Sequence, residues 1–360
     1  MQSLNCKFQL KNLYKIGANS LKTKALKYPM YIGNKGFSNK HFDFERSISM
    51  NNSLHIVLGG SGTIGQAVIS ELKEKKLNIR AIQRKCTIEG VENIKANLYD
   101  LNQAKLAIKG GDYVYLCTAV PYSTKLWKTE WPKLVSNVIA ACEEAGARLI
   151  FLDNIYMYGP VPLRVPFTEE HSQEPVSQKG KVRKIVADMI LKAHQEGRIK
   201  AVIGRSADFY GPSISSSLYI SFLEKMLAGK APQSLGGVDV VHTYAFTADN
   251  GRALVALALD ENTYGQVWHL PVSPPVTAKE ITSIFNKVLD SNFKVSQVPR
   301  LALTLLSLVV PTIKEVKEML YQFDNPYVMS DEKFKKHFVN FKVTQLEDGL
   351  KQMVEGLKKY

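Results

Sequence analysis

The sequence predicts an α/β fold in which a doubly wound parallel sheet carries a smaller C-terminal lobe. Three observations predict it. Strand-like and helix-like segments alternate between residues 54 and 204. The first strand breaks into a glycine-rich turn that opens directly into a helix. Strands such as the one over residues 113–118 have almost no polar face, as befits a parallel sheet covered by helices on both sides.

Taken in order, Leu54 to Leu58 is the first strand, and it runs into Gly59-Gly60-Ser61-Gly62-Thr63-Ile64-Gly65. Two spacings overlap there, Gly60-x-Gly62-x-x-Gly65 and Gly59-x-x-Gly62-x-x-Gly65. Glycines let backbone N–H groups approach a pyrophosphate, and a helix N-terminus favours negative charge. Between a strand and an amphipathic helix, this turn predicts a bound dinucleotide. The helix covers residues 63–76, with Ile64, Ala67, Val68 and Leu72 on one face. Strands follow over residues 77–83 and 94–97, then a helix from the N-cap Asp100 to Lys109. The strand at 113–118 precedes a helix over 131–145 closed by Gly146. Residues 148–152 form the next strand, 179–195 a long helix closed by Gly197, and 200–204 another strand. Such alternation implies right-handed crossovers.

Beyond Arg205 the pattern loosens. Turn signals at Tyr210-Gly211-Pro212, Gly236-Gly237 and Pro274-Pro275 separate mixed segments. One more strand is expected over 266–270, with helices over 278–289 and 312–321 building the lobe. The chain divides into a basic extension (residues 1–49), a nucleotide-binding domain (50–205), and a substrate lobe (206–360) interleaved with the last strands of the sheet.

The 360 residues are 45% apolar and 22% charged, ordinary for a globular protein with a sizeable core. Cys6, Cys86, Cys117 and Cys142 are scattered, with no CxxC and no partnering histidines, so no zinc site is expected. Half of the net charge of +14 comes from residues 1–49, which hold nine basic residues against Asp43 and Glu45. That segment lacks a hydrophobic signal-peptide core. Its acid-poor character fits a mitochondrial or plastid transit peptide, or else an untargeted tail on a cytoplasmic protein. No aromatic-basic strip or recognition motif points to nucleic acid. No apolar run reaches the length of about 18 residues that a membrane span needs. The longest, Leu301 to Val310, is expected to be a core or domain-capping helix.

The chain also resembles the extended short-chain dehydrogenase/reductase superfamily, the NAD-dependent epimerase/dehydratase family, from about Asn52 to Leu357. The resemblance rests on the Gly59-x-x-Gly62-x-x-Gly65 turn, the strand Tyr113 to Ala119, and Phe151-Leu152-Asp153-Asn154-Ile155-Tyr156-Met157-Tyr158-Gly159. It continues through Arg205-Ser206-Ala207-Asp208-Phe209-Tyr210-Gly211-Pro212 and Tyr244-Ala245-Phe246-Thr247-Ala248-Asp249. It implies a Rossmann-type sheet, a nicotinamide coenzyme, and coenzyme contacts at Thr118, Ala119, Phe209 and, near the adenine, Asn97 and Leu98. It also implies pairing of two copies through the helices that start near Trp131 and Lys179. The family's usual catalytic Tyr-x-x-x-Lys aligns with Lys179 and Arg183, and its catalytic serine with Asn154, so all three positions are changed. The arginine that many members use to grip a nucleotide-sugar phosphate aligns with His242-Thr243-Tyr244, which makes a nucleotide-sugar substrate less expected here.

The coenzyme expected is NADP, with NAD as the alternative. Strand 77–83 ends in Arg84-Lys85, with no acid before Glu89 to bind ribose hydroxyls. A carbonyl reduction also needs a proton donor. Lys179 and Arg183 lie four apart on one helix face, where like charge and burial would lower the lysine pKa enough for acid–base work. Equally, both cations could bind a ribose or a phosphate. Asn154 can orient a carbonyl but not protonate it, and Tyr156 and Tyr158 share its strand parity as alternative donors or substrate contacts. Tyr122, His242 and Tyr244 complete the candidate substrate pocket, with Trp127 and Trp131 beside Tyr122. The expected function is hydride transfer on a carbonyl or hydroxyl compound. The alternative is a non-catalytic NADP-binding sensor.

Overall fold

The computed structural model describes residues 52–357, so the expectations for residues 1–49 lie outside the described residues. Its centre is a seven-stranded parallel sheet, the doubly wound arrangement that the alternation predicts. The strands are β1 (Leu54–Leu58), β2 (Asn78–Gln83), β3 (Glu92–Lys95), β4 (Tyr113–Leu116), β5 (Arg148–Asp153), β6 (Ala201–Arg205) and, later in the chain, β10 (Val267–His269). Their order is β3-β2-β1-β4-β5-β6-β10. The order reverses between β1 and β4, which opens a crevice at the carboxyl ends of the strands. Two small sheets lie outside it: β7 (Asp208–Tyr210) pairs with β9 (Tyr244–Phe246), and β8 (Gln233–Ser234) with β11 (Ser296–Gln297).

Strand period two sends alternate side chains to opposite layers. Ile56, Leu58, Val114, Leu116 and Phe151 pack under α2 (Leu101–Ile108), α3 (Thr124–Ala145) and α4 (Gln178–Gln195). Val57, Tyr115, Ile150 and Val202 pack under α1 (Thr63–Glu74) and α5 (Thr247–Leu259). Asp100 caps α2 by accepting from the Gln103 amide at 2.9 Å, and Ser177 caps α4 by accepting from the Gly180 amide at 3.0 Å.

The lobe packs Phe222, Phe246, Phe285 and Met353 between α6 (Ala278–Leu289) and α9 (Leu346–Leu357). Between them lie α7 (Arg300–Val309) and α8 (Pro311–Lys317). Three expectations need correction. Helix α3 starts at Thr124, not Trp131, because Trp127 and Trp131 sit four apart and bury together. The helix expected over 312–321 ends at Lys317, and a separate short helix, Tyr321–Asp324, follows. The apolar run from Leu301 is a helix, but it is not core: only Leu303 and Ser307 of α7 are buried.

Candidate active site

The crevice is a single cleft of about 720 Å³ running over the carboxyl ends of the central strands. At one end stands the glycine turn. Gly59 has φ +82°, and a Cβ there would lie 2.8 Å from the Thr118 Cα. A Cβ on Gly65 would lie 2.3 Å from the Gly59 carbonyl oxygen. Glycine is therefore required at both for the turn to close. Gly62 is the N-cap of α1 and gives it no side-chain cap, so the first turn of that helix keeps its N–H groups for a ligand. Gly59, Ser61, Gly62, Thr63 and Ile64 line the cleft. Gly60 and Gly65 do not. Gly60 packs against Ala81, Ile69 and Gln83, and Gly65 against the turn itself.

Further along, Arg84, Asn97, Leu98, Thr118 and Ala119 line the wall, as does Phe209 opposite. Asn97 is tied into its own turn, its Oδ1 accepting from the Tyr99 amide at 3.2 Å. Two buried polar atoms on this wall, Gln83 Oε1 and Thr118 Oγ1, have no hydrogen-bond partner within the protein. A buried acceptor without a partner is costly, so both fit a polar ligand. The glycine turn, the uncapped helix start and these two atoms together fit a dinucleotide. Gln83, the last residue of β2, escaped the sequence reading, which looked only for an acid or arginine there.

The other end of the cleft is aromatic. Tyr122, Trp127, Trp131, Asn154 and Tyr156 line it, with Asp208 facing them. Tyr156 stacks on Trp127 at 6.3 Å, and its phenol hydrogen-bonds that of Tyr122. Burial, then the neighbouring Tyr122 and Asp208, hold the Tyr156 phenol well above the usual tyrosine range. Burial also raises Tyr122, against the opposing effect of its bond to Tyr156. Asn154 accepts from the Tyr156 amide at 3.1 Å, which leaves its amide nitrogen to offer a substrate.

The two cations expected in the site are committed elsewhere. Lys179 is fully buried and does not line the cleft. Its ammonium donates to Thr124 Oγ1 at 3.0 Å, to Glu318 Oε1 at 2.8 Å and to the Glu315 carboxylate. It is a neutralised structural cation, because α8 and the Glu318 that caps its C-terminus bring both carboxylates over the start of α4. Arg183 does line the cleft, but its guanidinium donates to Asp153 Oδ1 at 2.7 Å and to the Leu152 carbonyl at 3.1 Å, and it lies 4.4 Å from the Trp131 ring.

Tyr158, His242 and Tyr244 also lie off the cleft. Tyr158 is fully buried, accepting from Arg205 at 2.8 Å and donating to His269 Nε2 at 2.6 Å. The Ser330 carbonyl can only accept, so His269 Nδ1 carries the proton at 2.7 Å. His242 and Tyr244 line a separate cavity of about 30 Å³, with His242 stacked on Phe323 and Tyr327. His242 nevertheless touches the cleft through Asp208: its Nε2 lies 3.3 Å from Asp208 Oδ2. Sequence reading passed over Asp208 as part of a motif. The signal was there, a carboxylate between Ala207 and Phe209.

Comparison with known proteins agrees with this fold. The sequence model of the NAD dependent epimerase/dehydratase family matches residues 55–269. A dTDP-6-deoxy-L-talose 4-dehydrogenase (NAD(P)(+)) of Kitasatospora kifunensis is 21% identical over 260 residues, covering 68% of this chain and 81% of that one. An epimerase from Methanothermobacter thermautotrophicus superposes with a TM-score of 0.72 at 14% identity, over 88% of this chain and 95% of its own. The UDP-glucose 4-epimerase of Thermus thermophilus, in complex with NAD, gives 0.65 at 18% identity over 85% and 99%.

Proposed function

Because the chain belongs to the NAD-dependent epimerase/dehydratase family, we propose that it is an NADP-dependent oxidoreductase acting on a carbonyl or hydroxyl compound held at the aromatic end of the cleft. One observation carries this reading: a single continuous cleft joins the glycine turn to Tyr122, Tyr156 and Asp208. NADP is preferred because Arg84 lines the cleft just past β2 and no carboxylate ends that strand.

A nicotinamide held in the cleft would supply hydride donation or acceptance. The residues of the chain then have separable roles. Tyr156, kept in its neutral form by burial, exchanges its hydrogen bond to Tyr122 for one to the reacting oxygen when substrate binds. In the oxidising direction Asp208 would accept the hydroxyl proton of the substrate, and in reduction it would return that proton to the oxygen. His242 Nε2 lies 3.3 Å behind that carboxylate. Lys179 and Arg183 are engaged in internal ion pairs, and the pocket presents a carboxylate. A neutral or cationic substrate therefore suits it better than a sugar diphosphate.

A second reading is favoured by one observation: the Lys179 ammonium is spent on Glu315 and Glu318, so it is not placed to lower the Tyr156 phenol. On that reading the chain binds coenzyme and responds to it without turnover. Calorimetry with NADP(H) and NAD(H), followed by nicotinamide absorbance across a panel of alcohols, aldehydes and ketones, separates the two. The proposal expects turnover that Asp208→Asn abolishes with coenzyme affinity retained. Tight binding without turnover on any substrate favours the second reading, and no binding overturns both.

A further inference from the structure

We propose that the α7–α8 hairpin docks this protein onto the surface of an anionic lipid bilayer. The inference does not depend on which coenzyme or substrate the cleft takes. From Leu301 to Ile313 the chain has thirteen successive residues without a charge, bounded by Arg300 and Lys314. Helix α7 turns only Leu303 and Ser307 inward. The rest of its apolar surface is bare: Leu301 is 71% exposed, Leu305 57%, Leu306 44%, Leu308 78% and Val309 75%. Single exposed leucines are ordinary, but four leucines and Val309 on one ten-residue helix form a patch that marks an interaction surface.

The charges around the patch identify the occupant. The two carboxylates of this hairpin and its flank, Glu315 and Glu318, turn inward to Lys179 and Thr124. Asp324 is paired with Arg300. Lys314 and Lys317, from the same turns as those glutamates, are exposed. Acid has been sorted inward, and the outer surface is left apolar and cationic. A membrane interface wants this combination, with leucines in the acyl boundary and lysines among anionic headgroups. A helix of ten residues is about 15 Å long, too short to cross a hydrocarbon core of about 30 Å, so it lies in the plane. The hairpin is also joined to the cleft. Glu315 accepts from the Thr124 amide at 2.9 Å, and the Lys179 that both glutamates hold lies 4.5 Å from the ring of Tyr122, which lines the cleft. The docked face is thus next to the reacting end.

The test is co-sedimentation of the full chain with vesicles of phosphatidylcholine alone or mixed with phosphatidylserine, at low and high salt. The expected result is binding to the mixed vesicles that salt weakens. Leu305→Ser with Leu308→Ser should reduce it about tenfold or more, with melting temperature and NADP affinity unchanged. Lys314→Glu with Lys317→Glu, which alters only exposed charges, should reduce binding to the mixed vesicles without affecting the fold. Both variants keep the basic residues 1–49. Undiminished binding by both would therefore assign the attachment to that segment and overturn the proposal. So would failure of the unaltered chain to bind either vesicle. A wild-type dimer that the leucine variant dissociates, with no vesicle binding, would overturn it in favour of a second copy of the chain.

Discussion

The ammonium of Lys179 lies 4.5 Å from the centroid of the Tyr122 ring, and only the ring belongs to the cleft lining. The cation stands behind the aromatic wall, held by Glu315 and Glu318. Lys179→Met removes the charge that neutralises two neighbouring carboxylates. Both carboxylates still reach solvent, at 22% and 24% side-chain exposure, so the penalty falls below that of a fully buried broken pair. A loss of about 1–3 kcal/mol is expected, measured by denaturant unfolding, with NADP affinity unchanged. An unaltered unfolding midpoint together with lost turnover would instead make Lys179 the acid–base group.

Tyr156→Phe should lower kcat about 100-fold without weakening NADP. The phenol is held above its ordinary value of about 10, so the proton stays on through the alkaline range. The pH–rate profile of the unaltered enzyme should therefore show no phenol-dependent downturn below about pH 10. An alkaline limb near neutrality that vanishes in Tyr156→Phe would mean a lowered phenol, and the hydrogen-bonding role assigned here would fall.

What the sequence made legible was local. Gly62 and Gly65 declare their purpose through spacing, because the Gly59 carbonyl that crowds them lies within seven residues of chain, whereas the backbone that crowds Gly59 is that of the distant Thr118. Strand alternation likewise sends Ile56 and Val57 to opposite layers by a purely local rule. Contacts across the fold were not legible. Glu315 and Glu318 lie 136 and 139 residues from Lys179, and nothing near Lys179 announces two carboxylates. Spacing alone therefore left its charge free for chemistry. Tyr158 shares parity with Tyr156, yet the chain turns after β5 and carries Tyr158 under the sheet edge to Arg205 and His269. Asp208 and His242 meet only because β7 and β9 pair. The exposure of α7 was missed for a related reason: an apolar run predicts burial, and only the packing of its neighbours shows that one face is bare.

Arg84→Asp tests the coenzyme assignment. Arg84 lines the cleft just beyond Gln83, and charge-assisted bonds to a 2′-phosphate contribute about 1.5–3 kcal/mol. The variant should weaken NADP about 10- to 100-fold relative to NAD, read by calorimetry. If the ratio of the two affinities does not move, Arg84 does not touch the phosphate, and NAD becomes the assigned coenzyme.

Two buried histidines should make the fold acid-sensitive. Burial lowers His55 to about 4, against a smaller opposing pull from Asp112. Burial, reinforced by Arg205 and Lys333 and opposed by the Ser330 carbonyl, lowers His269 to about 3. In the unfolded chain both return to about 6.5. Below that pH the unfolded state binds protons that the folded state refuses, so stability is intact above about 6.5 and is lost as pH falls toward 4 and then 3. The share of His55 is on the order of 3 kcal/mol. His55 stacks on Tyr113 at 4.6 Å with an interplanar angle of 8°, so phenylalanine can take its place in the stack without titrating. Unfolding free energy measured across this range should fall less steeply for His55→Phe than for the unaltered chain. Parallel curves would mean that His55 is protonated inside the fold, with Asp112 outweighing its burial.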